Sequence, residues 1–223
     1  MQPAQSNRKN LWMGLAILAS FFLILAIAVS VKWMNHDPRL GNKVDVSVLK
    51  IFPHPINIPA ASLIDKNGQP FDMNQLKNRW TFLYFGYTLC PDICPTELTA
   101  LAGVLESLRE QQVKTKHGVL FVSVDQQRDT PERLRQFVDY FDSSIQAVSG
   151  AESELRIMAQ PIGAAWDKVA QFDENGRPDP SNYLINHTTS ILLVDPQGRA
   201  VGVFPTPHDP VAMAKAFTTV VPE

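Results

Sequence analysis

WTFLYFGYTLCPDICPTEL, running from Trp80 to Leu98, is the stretch that decides the fold. Its first part, Trp80 to Tyr87, is a near-continuous apolar run, which suits a strand covered on both faces. Its last part opens a helical pattern, with Leu98, Leu101, Ala102, Leu105 and Leu108 recurring at helical spacing between Thr96 and Arg109. Between them lies Cys90-Pro91-Asp92-Ile93-Cys94-Pro95, which holds both cysteines of the chain. Thiols at a strand-to-helix junction feel the positive end of the helix dipole, which favours thiolate, the form that attacks disulfides and binds soft metals. The spacing is C-x-x-x-C, one residue wider than the usual dithiol oxidoreductase C-x-x-C. A metal clamp therefore competes with a redox switch. Pro95 fits the first helical position, which puts Cys94 at the N-cap and Cys90 in the preceding loop. Two blander readings are weaker: a disulfide closing so small a loop gains little stability, and the polar, Pro-rich surroundings do not suit inert thiols.

Outward from this segment, Ser62 to Asp65 and Gln69 to Phe71 flank Lys66-Asn67-Gly68, a hairpin turn. Gly118 to Val124 is a second apolar strand, and Asp129-Thr130-Pro131-Glu132 starts a helix carrying Leu134, Phe137, Val138 and Phe141. Strand, helix, strand, helix in that order implies a parallel βαβ unit with a right-handed crossover. A short strand at Ile145 to Val148, a helix from Glu152 to Gln160 and a loop between Gln171 and Asn182 follow. Ile191 to Val194 and Ala200 to Phe204 are strands joined by Asp195-Pro196-Gln197-Gly198, an antiparallel hairpin. Pro210 to Val220 closes the domain as a helix. A βαβ half, then a ββα half, with thiols at the first strand-to-helix junction, predicts an α/β, thioredoxin-like fold.

The N-terminus adds a separate expectation. Asn10 to Val31 carries no charged side chain, and Leu11 to Val31 is about twenty mostly apolar residues, enough to cross a bilayer as a helix, with Trp12 and Trp33 at the interfaces. A cleaved signal peptide ending at Ala26-Ile27-Ala28 is the competing reading, but the apolar run is longer than a usual signal core. The expected organisation is a tail over 1–10, a transmembrane anchor over 11–31, a linker and domain edge over 32–59, and a thioredoxin-like domain over 60–223. A short tail before a large domain suits a single-pass protein with the domain on the extracytoplasmic, periplasmic side. The net charge of −2, without a basic run in the domain, excludes a nucleic-acid partner. Glycine-rich phosphate loops, nucleophile elbows and internal repeats are absent from the sequence.

Of the five histidines, His36, His54 and His208 lie among prolines and polar residues and read as solvated, and His117 reads as a helix-terminal or exposed residue. His187 differs, because Asn186-His187-Thr188-Thr189 abuts the strand Ser190 to Val194, and in a thioredoxin plan the loop before that strand passes beside the thiols. It is either a third donor to Cys90 and Cys94 or a satisfied structural histidine. Two thiolates and an imidazole form a soft set that suits copper, Cu(I) above all, and falls short of a four-ligand structural zinc shell. A hydrolase built on Cys90, His187 and Asp195 would leave Cys94 without a role.

Three segments, FGYTLCPDICPTEL (Phe85 to Leu98), VSVDQQRDTPE (Val122 to Glu132) and INHTTSILLVDPQG (Ile185 to Gly198), together closely resemble the Sco/SenC family. The resemblance runs from about Val46 to the C-terminus and extends to the N-terminal anchor. It implies a membrane-anchored, thioredoxin-fold protein that binds copper through Cys90, Cys94 and His187, with Asp92 and Asp125 in support. It also implies a metallochaperone role in assembling the dinuclear copper centre of cytochrome c oxidase, with a copper-receiving oxidase subunit and a copper donor protein as partners. The alternative it admits is a thiol-disulfide oxidoreductase acting through Cys90 and Cys94 on the cysteines of that centre. A thiol peroxidase has no support beyond the fold. Some family members carry an acidic residue just before the histidine, where this chain has Asn186.

Overall fold

The computed structural model of the chain describes residues 47–221, together with Trp12, Leu18, Phe22, Leu23 and Leu25. The expected anchor over 11–31 otherwise lies outside the described residues, and among these no helix is long and apolar enough to cross a membrane.

Between Lys50 and Val220, among the described residues, ten strands and four α-helices follow in the order β1 (Lys50–Asn57), β2 (Leu63–Asp65), β3 (Pro70–Phe71), β4 (Trp80–Gly86), α1 (Ile93–Glu110), β5 (His117–Ser123), α2 (Pro131–Phe141), β6 (Gln146–Gly150), α3 (Glu152–Ala159), β7 (Trp166–Phe172), β8 (Pro178–His187), β9 (Ile191–Val194), β10 (Arg199–Phe204) and α4 (Pro210–Val220). Eight strands make one sheet in the order β1-β10-β9-β4-β5-β6-β2-β3. Its centre is the expected parallel unit: β4 pairs in parallel with β5, and β5 with β6, while β9 runs antiparallel along the other side of β4. Apolar runs on β4 and β5 become the sheet's buried middle, where Phe82, Leu83, Tyr84, Phe121 and Val122 are fully enclosed. The α1 stripe expected from the sequence, Leu98, Leu101, Leu105 and Leu108, is buried, and α1 packs against α4. Thr130 caps α2 by accepting from the Arg133 N–H, with Pro131 in the first turn.

Three local readings change. The N-cap of α1 is Asp92, and Cys94 lies inside the first turn. No N–H of that turn has an intrahelical acceptor, so Pro95 costs no hydrogen bond there either; the Cys94 N–H points instead to the Cys90 Sγ at 3.4 Å. The expected loop over 171–182 is largely strand: β7 and β8 form a separate two-stranded ribbon around a turn at Asp173 to Arg177. Most of β7 is exposed, so it lacks the apolar alternation by which half-buried strands are recognised. Finally, β1 occupies the sheet edge inside the stretch read as linker, with a register break between Ile51 and Ile56. Pro53 and Pro55 fall in that break, where an edge strand tolerates a missing donor.

Candidate functional site

The thiols sit where β4 ends and α1 begins, at the C-terminal edge of the parallel strands. Cys90 is 7% exposed and Cys94 is fully enclosed. His187 ends β8, and its Nε2 lies 3.3 Å from the Cys94 Sγ. One donor atom from each of Cys90, Cys94 and His187 falls within 4.8 Å of the others, and among the described residues this is the group of His, Cys, Asp or Glu side chains so clustered. Both cysteines are free thiols. Sequence spacing placed Cys90 and Cys94 together, and the fold adds His187 to them.

Backbone contacts set the histidine's tautomer. His187 Nδ1 lies 3.0 Å from the Thr188 carbonyl oxygen; a carbonyl only accepts, so Nδ1 carries the proton and the Nε2 lone pair faces the sulfurs. The Thr188 N–H donates to the Ala165 carbonyl, and the Ala165 N–H donates to the Thr188 hydroxyl. These bonds hold the end of β8 in place.

The two thiols are electrostatically unlike. The neighbouring Cys94 thiol, with the N–H groups of Cys94 and Asp92, outweighs burial and lowers the Cys90 thiol well below the ordinary thiol range. The same contact and burial push Cys94 well above the ordinary thiol range. The two shifts run in opposite directions, so Cys90 is the sulfur of the pair that gives up its proton first. That arrangement offers a nucleophile with a neighbouring second thiol, or, once the Cys94 proton leaves, three soft donors around one point.

Close packing surrounds the sulfurs. A Cβ added at Gly86 would stand 2.9 Å from the Cys94 Sγ and 2.8 Å from the Phe121 ring. Tyr84 and Tyr87 flank His187 edge-on, with ring centroids 6.0 and 5.9 Å away. Asp129, buried, accepts from the Thr88 N–H and hydroxyl and from the Ser123 hydroxyl, so it anchors the loop leading to Cys90. Burial raises its carboxyl despite those bonds. Asp125, also buried, accepts from the Tyr183 hydroxyl at 2.6 Å and pairs with Arg128. The Arg128 guanidinium lies 3.5 Å over the Tyr183 ring, which couples the β7–β8 ribbon to the loop after β5. Burial and the Asp125 bond push the Tyr183 hydroxyl up to about 12.

The other sequence candidates lie elsewhere. Asp92 is the exposed N-cap of α1 and makes no side-chain cap bond. Asp195 binds Arg199 and backbone N–H groups of its own turn, so the structure does not assemble the hydrolase set. His117 opens β5 opposite Trp80, at the other end of the strand from the thiols, and His54 is exposed on β1. His36 lies outside the described residues. His208 is not solvated: its side chain is 1% exposed and pairs with the buried Glu97, while its other ring nitrogen lies 2.9 Å from the Phe204 carbonyl oxygen. Sequence reasoning assigned no role to Tyr84, Tyr87, Glu97 or Asp129. A signal did exist for the tyrosines, since a phenol inside a strand covered on both faces needs a buried partner.

Fold and site together define a thioredoxin-like protein with a dithiol–imidazole group at its first strand-to-helix junction. The SCO1/SenC family model matches residues 58–222, and the chain belongs to that family. A SCO2-like protein of Rickettsia typhi is 32% identical over 145 residues, 65% of this chain and 68% of its own length. ScoI of Bradyrhizobium japonicum, solved with copper bound, is 30% identical with a TM-score of 0.62, over 74% of this chain and 99% of that one. Yeast Sco1, also solved with copper bound, is 25% identical with a TM-score of 0.66, over 74% of this chain and 88% of its own.

Proposed function

We propose that this protein binds one copper ion through Cys90, Cys94 and His187 and delivers it during assembly of the dinuclear copper centre of cytochrome c oxidase. The observation that carries the reading is the convergence of two sulfurs and one imidazole nitrogen within 4.8 Å. The donor chemistry fits the ion: thiolate and imidazole favour copper, Cu(I) above all, and three donors leave room for an incoming ligand. The copper-bound relatives and the three motifs resembling the Sco/SenC family support it. As cargo, the metal would pass to a partner's thiols by stepwise ligand exchange. Cys90, the more exposed sulfur, is the first to meet an incoming thiol. The reading includes a single N-terminal anchor over 11–31, with the domain on the periplasmic side and a separate protein donating the copper.

One observation favours a second reading, a thiol-disulfide oxidoreductase. Two free thiols lie side by side, with Cys90 shifted down and Cys94 up, the pairing of attacking and resolving thiols that thiol–disulfide exchange uses. His187→Ala separates the two. In the full chain purified under reductant, the parent is expected to hold one Cu(I), Cys90→Ser and Cys94→Ser to lose tight binding, and His187→Ala to lose copper retention and oxidase assembly while still exchanging with a disulfide substrate. Normal copper affinity and full oxidase assembly in His187→Ala, with failure of the cysteine variants, would transfer the assignment to the redox reading.

A further inference from the structure

His208 sits in the turn between β10 and α4, and both nitrogens of its ring face acceptors. Nδ1 lies 2.5 Å from the Glu97 Oε2 on α1, and Nε2 lies 2.9 Å from the Phe204 carbonyl oxygen at the end of β10. Both side chains are enclosed. A carbonyl only accepts, so Nε2 carries a proton. The contact between Nδ1 and Oε2 then needs a proton of its own, because a lone pair facing a carboxylate at that distance is repulsive. Whichever of the two atoms owns it, the pair holds that proton and is neutral as a unit. Its loss leaves two acceptors face to face and one buried negative charge. The proposed metal and redox chemistry makes no use of this pair.

The pair joins two elements that meet beside the site. Glu97 lies one helical turn beyond Cys94 on α1. Asp209, next to His208, is the N-cap of α4: its carboxylate accepts the Ala212 N–H at 2.7 Å, and its carbonyl accepts the Met213 N–H at 2.9 Å. The start of α4 lies close against α1, since a Cβ at Gly103 would stand 3.0 Å from Pro210. We propose that the proton shared by Glu97 and His208 is a pH-sensitive latch: it fastens the turn over 205–209 and the first turn of α4 to the helix that carries Cys94, and the turn opens as the proton is lost. The other groups around the pair do not replace that proton. Phe204 contributes a carbonyl, Asp209 turns its carboxylate to its own helix, and Tyr84 on β4, close enough to feel the Glu97 charge, directs its hydroxyl to Cys94. Among the described residues neither partner pairs with a lysine or arginine. Against burial, which lowers it, the bonds to Glu97 and the Phe204 carbonyl raise the imidazole above its ordinary 6.5. The latch is therefore fully closed below that ordinary value and is lost as pH rises through the raised one.

The test is hydrogen exchange at the Ala212 and Met213 amides, followed residue by residue in the metal-free full chain in detergent between about pH 5.5 and 8.5 and corrected for the chemical exchange rate. In the parent, protection at these amides is expected to hold steady below the ordinary histidine value and then to fall by up to about tenfold per pH unit, the slope of one linked proton. Glu97→Gln can donate its amide N–H to Nδ1 while the Nε2–H still reaches Phe204, so the turn stays tied with no proton to lose. Its protection is expected to be independent of pH. His208→Gln has no titrating ring and is expected to be flat as well, which keeps the test decisive if Glu97→Gln fails to fold. The Phe82 and Leu83 amides, in the middle of β4 between β5 and β9, report the rest of the sheet and are expected to stay flat throughout. A parent without pH dependence would overturn the latch, as would a variant that keeps the parental dependence or a parent in which Phe82 and Leu83 lose protection in step with Ala212 and Met213. Because no metal is present, failure of the parent to bind copper would count against the proposed cargo and leave this result standing.

Discussion

Gly86 shows how a single side chain is excluded by the site's packing. It ends β4, and the Cys94 Sγ and Phe121 ring occupy the space a methyl group would need. Gly86→Ala is expected to displace Cys94 and destabilise the domain by about 1–3 kcal/mol, the usual cost of overpacking. Denaturant unfolding together with copper stoichiometry checks both effects. His208 gives a prediction in pH. Burial alone would push its imidazole down, but the bonds to Glu97 and the Phe204 carbonyl outweigh burial and raise it above its ordinary 6.5. A histidine raised on folding contributes stability that is fully present below the unfolded value, 6.5, and is lost as pH rises through the folded one. The stability difference between the parent and His208→Gln is therefore expected to be largest, about 1.5–3 kcal/mol, below pH 6.5 and to shrink as the pH is raised above it. A difference that grows with pH would contradict the charged pair.

Among the elements, the loop from Tyr87 to Cys90 depends on a carboxylate contributed after β5. Asp129 accepts two bonds from the half-buried Thr88 and one from the buried Ser123; removing it leaves these donors without their partner, at about 1–3 kcal/mol for an unsatisfied buried group. Asp129→Ala is expected to speed hydrogen exchange at the Thr88 amide while the β4–β5 ladder away from the loop stays protected. Uniform loss of protection would mean that Asp129 supports the whole sheet and not this loop. The β7–β8 ribbon is the other element that matters, because β8 ends on His187. The Tyr183–Asp125–Arg128 contacts fasten it, and they join residues far apart in sequence.

For the whole molecule, the donors come from two places: the β4–α1 junction and the end of β8. An ion bound between them closes a link that the unfolded chain lacks, so under the proposed copper reading the loaded protein should unfold at a higher temperature than the metal-free one. Free metal at one hundred times its dissociation constant contributes about 2.7 kcal/mol. Calorimetry with and without Cu(I) under reductant measures this, and the gain should vanish in Cys90→Ser. An unchanged gain in that variant would place the metal elsewhere. At this same scale the sequence and the fold divide the information. Period and punctuation sufficed for the parallel core, since Trp80 to Tyr87 and Gly118 to Val124 are apolar enough to declare themselves buried, and Thr130-Pro131 and Asp195 to Gly198 mark a helix start and a turn by local chemistry. The adjacency of Cys90 and Cys94 was likewise a matter of spacing. Local pattern did not reveal β7, whose residues face water, the α1 cap, where a sulfur takes the place of a capping side chain, or the burial of His208, which needs the distant Glu97. The place of His187 beside the thiols was expected from the thioredoxin plan and the family resemblance, while local pattern was silent on the Tyr84 hydroxyl at Cys94. The seating of His187 and the burial of His208 depend on contacts between residues separated by up to about a hundred positions, which only the closed tertiary structure brings within hydrogen-bonding distance.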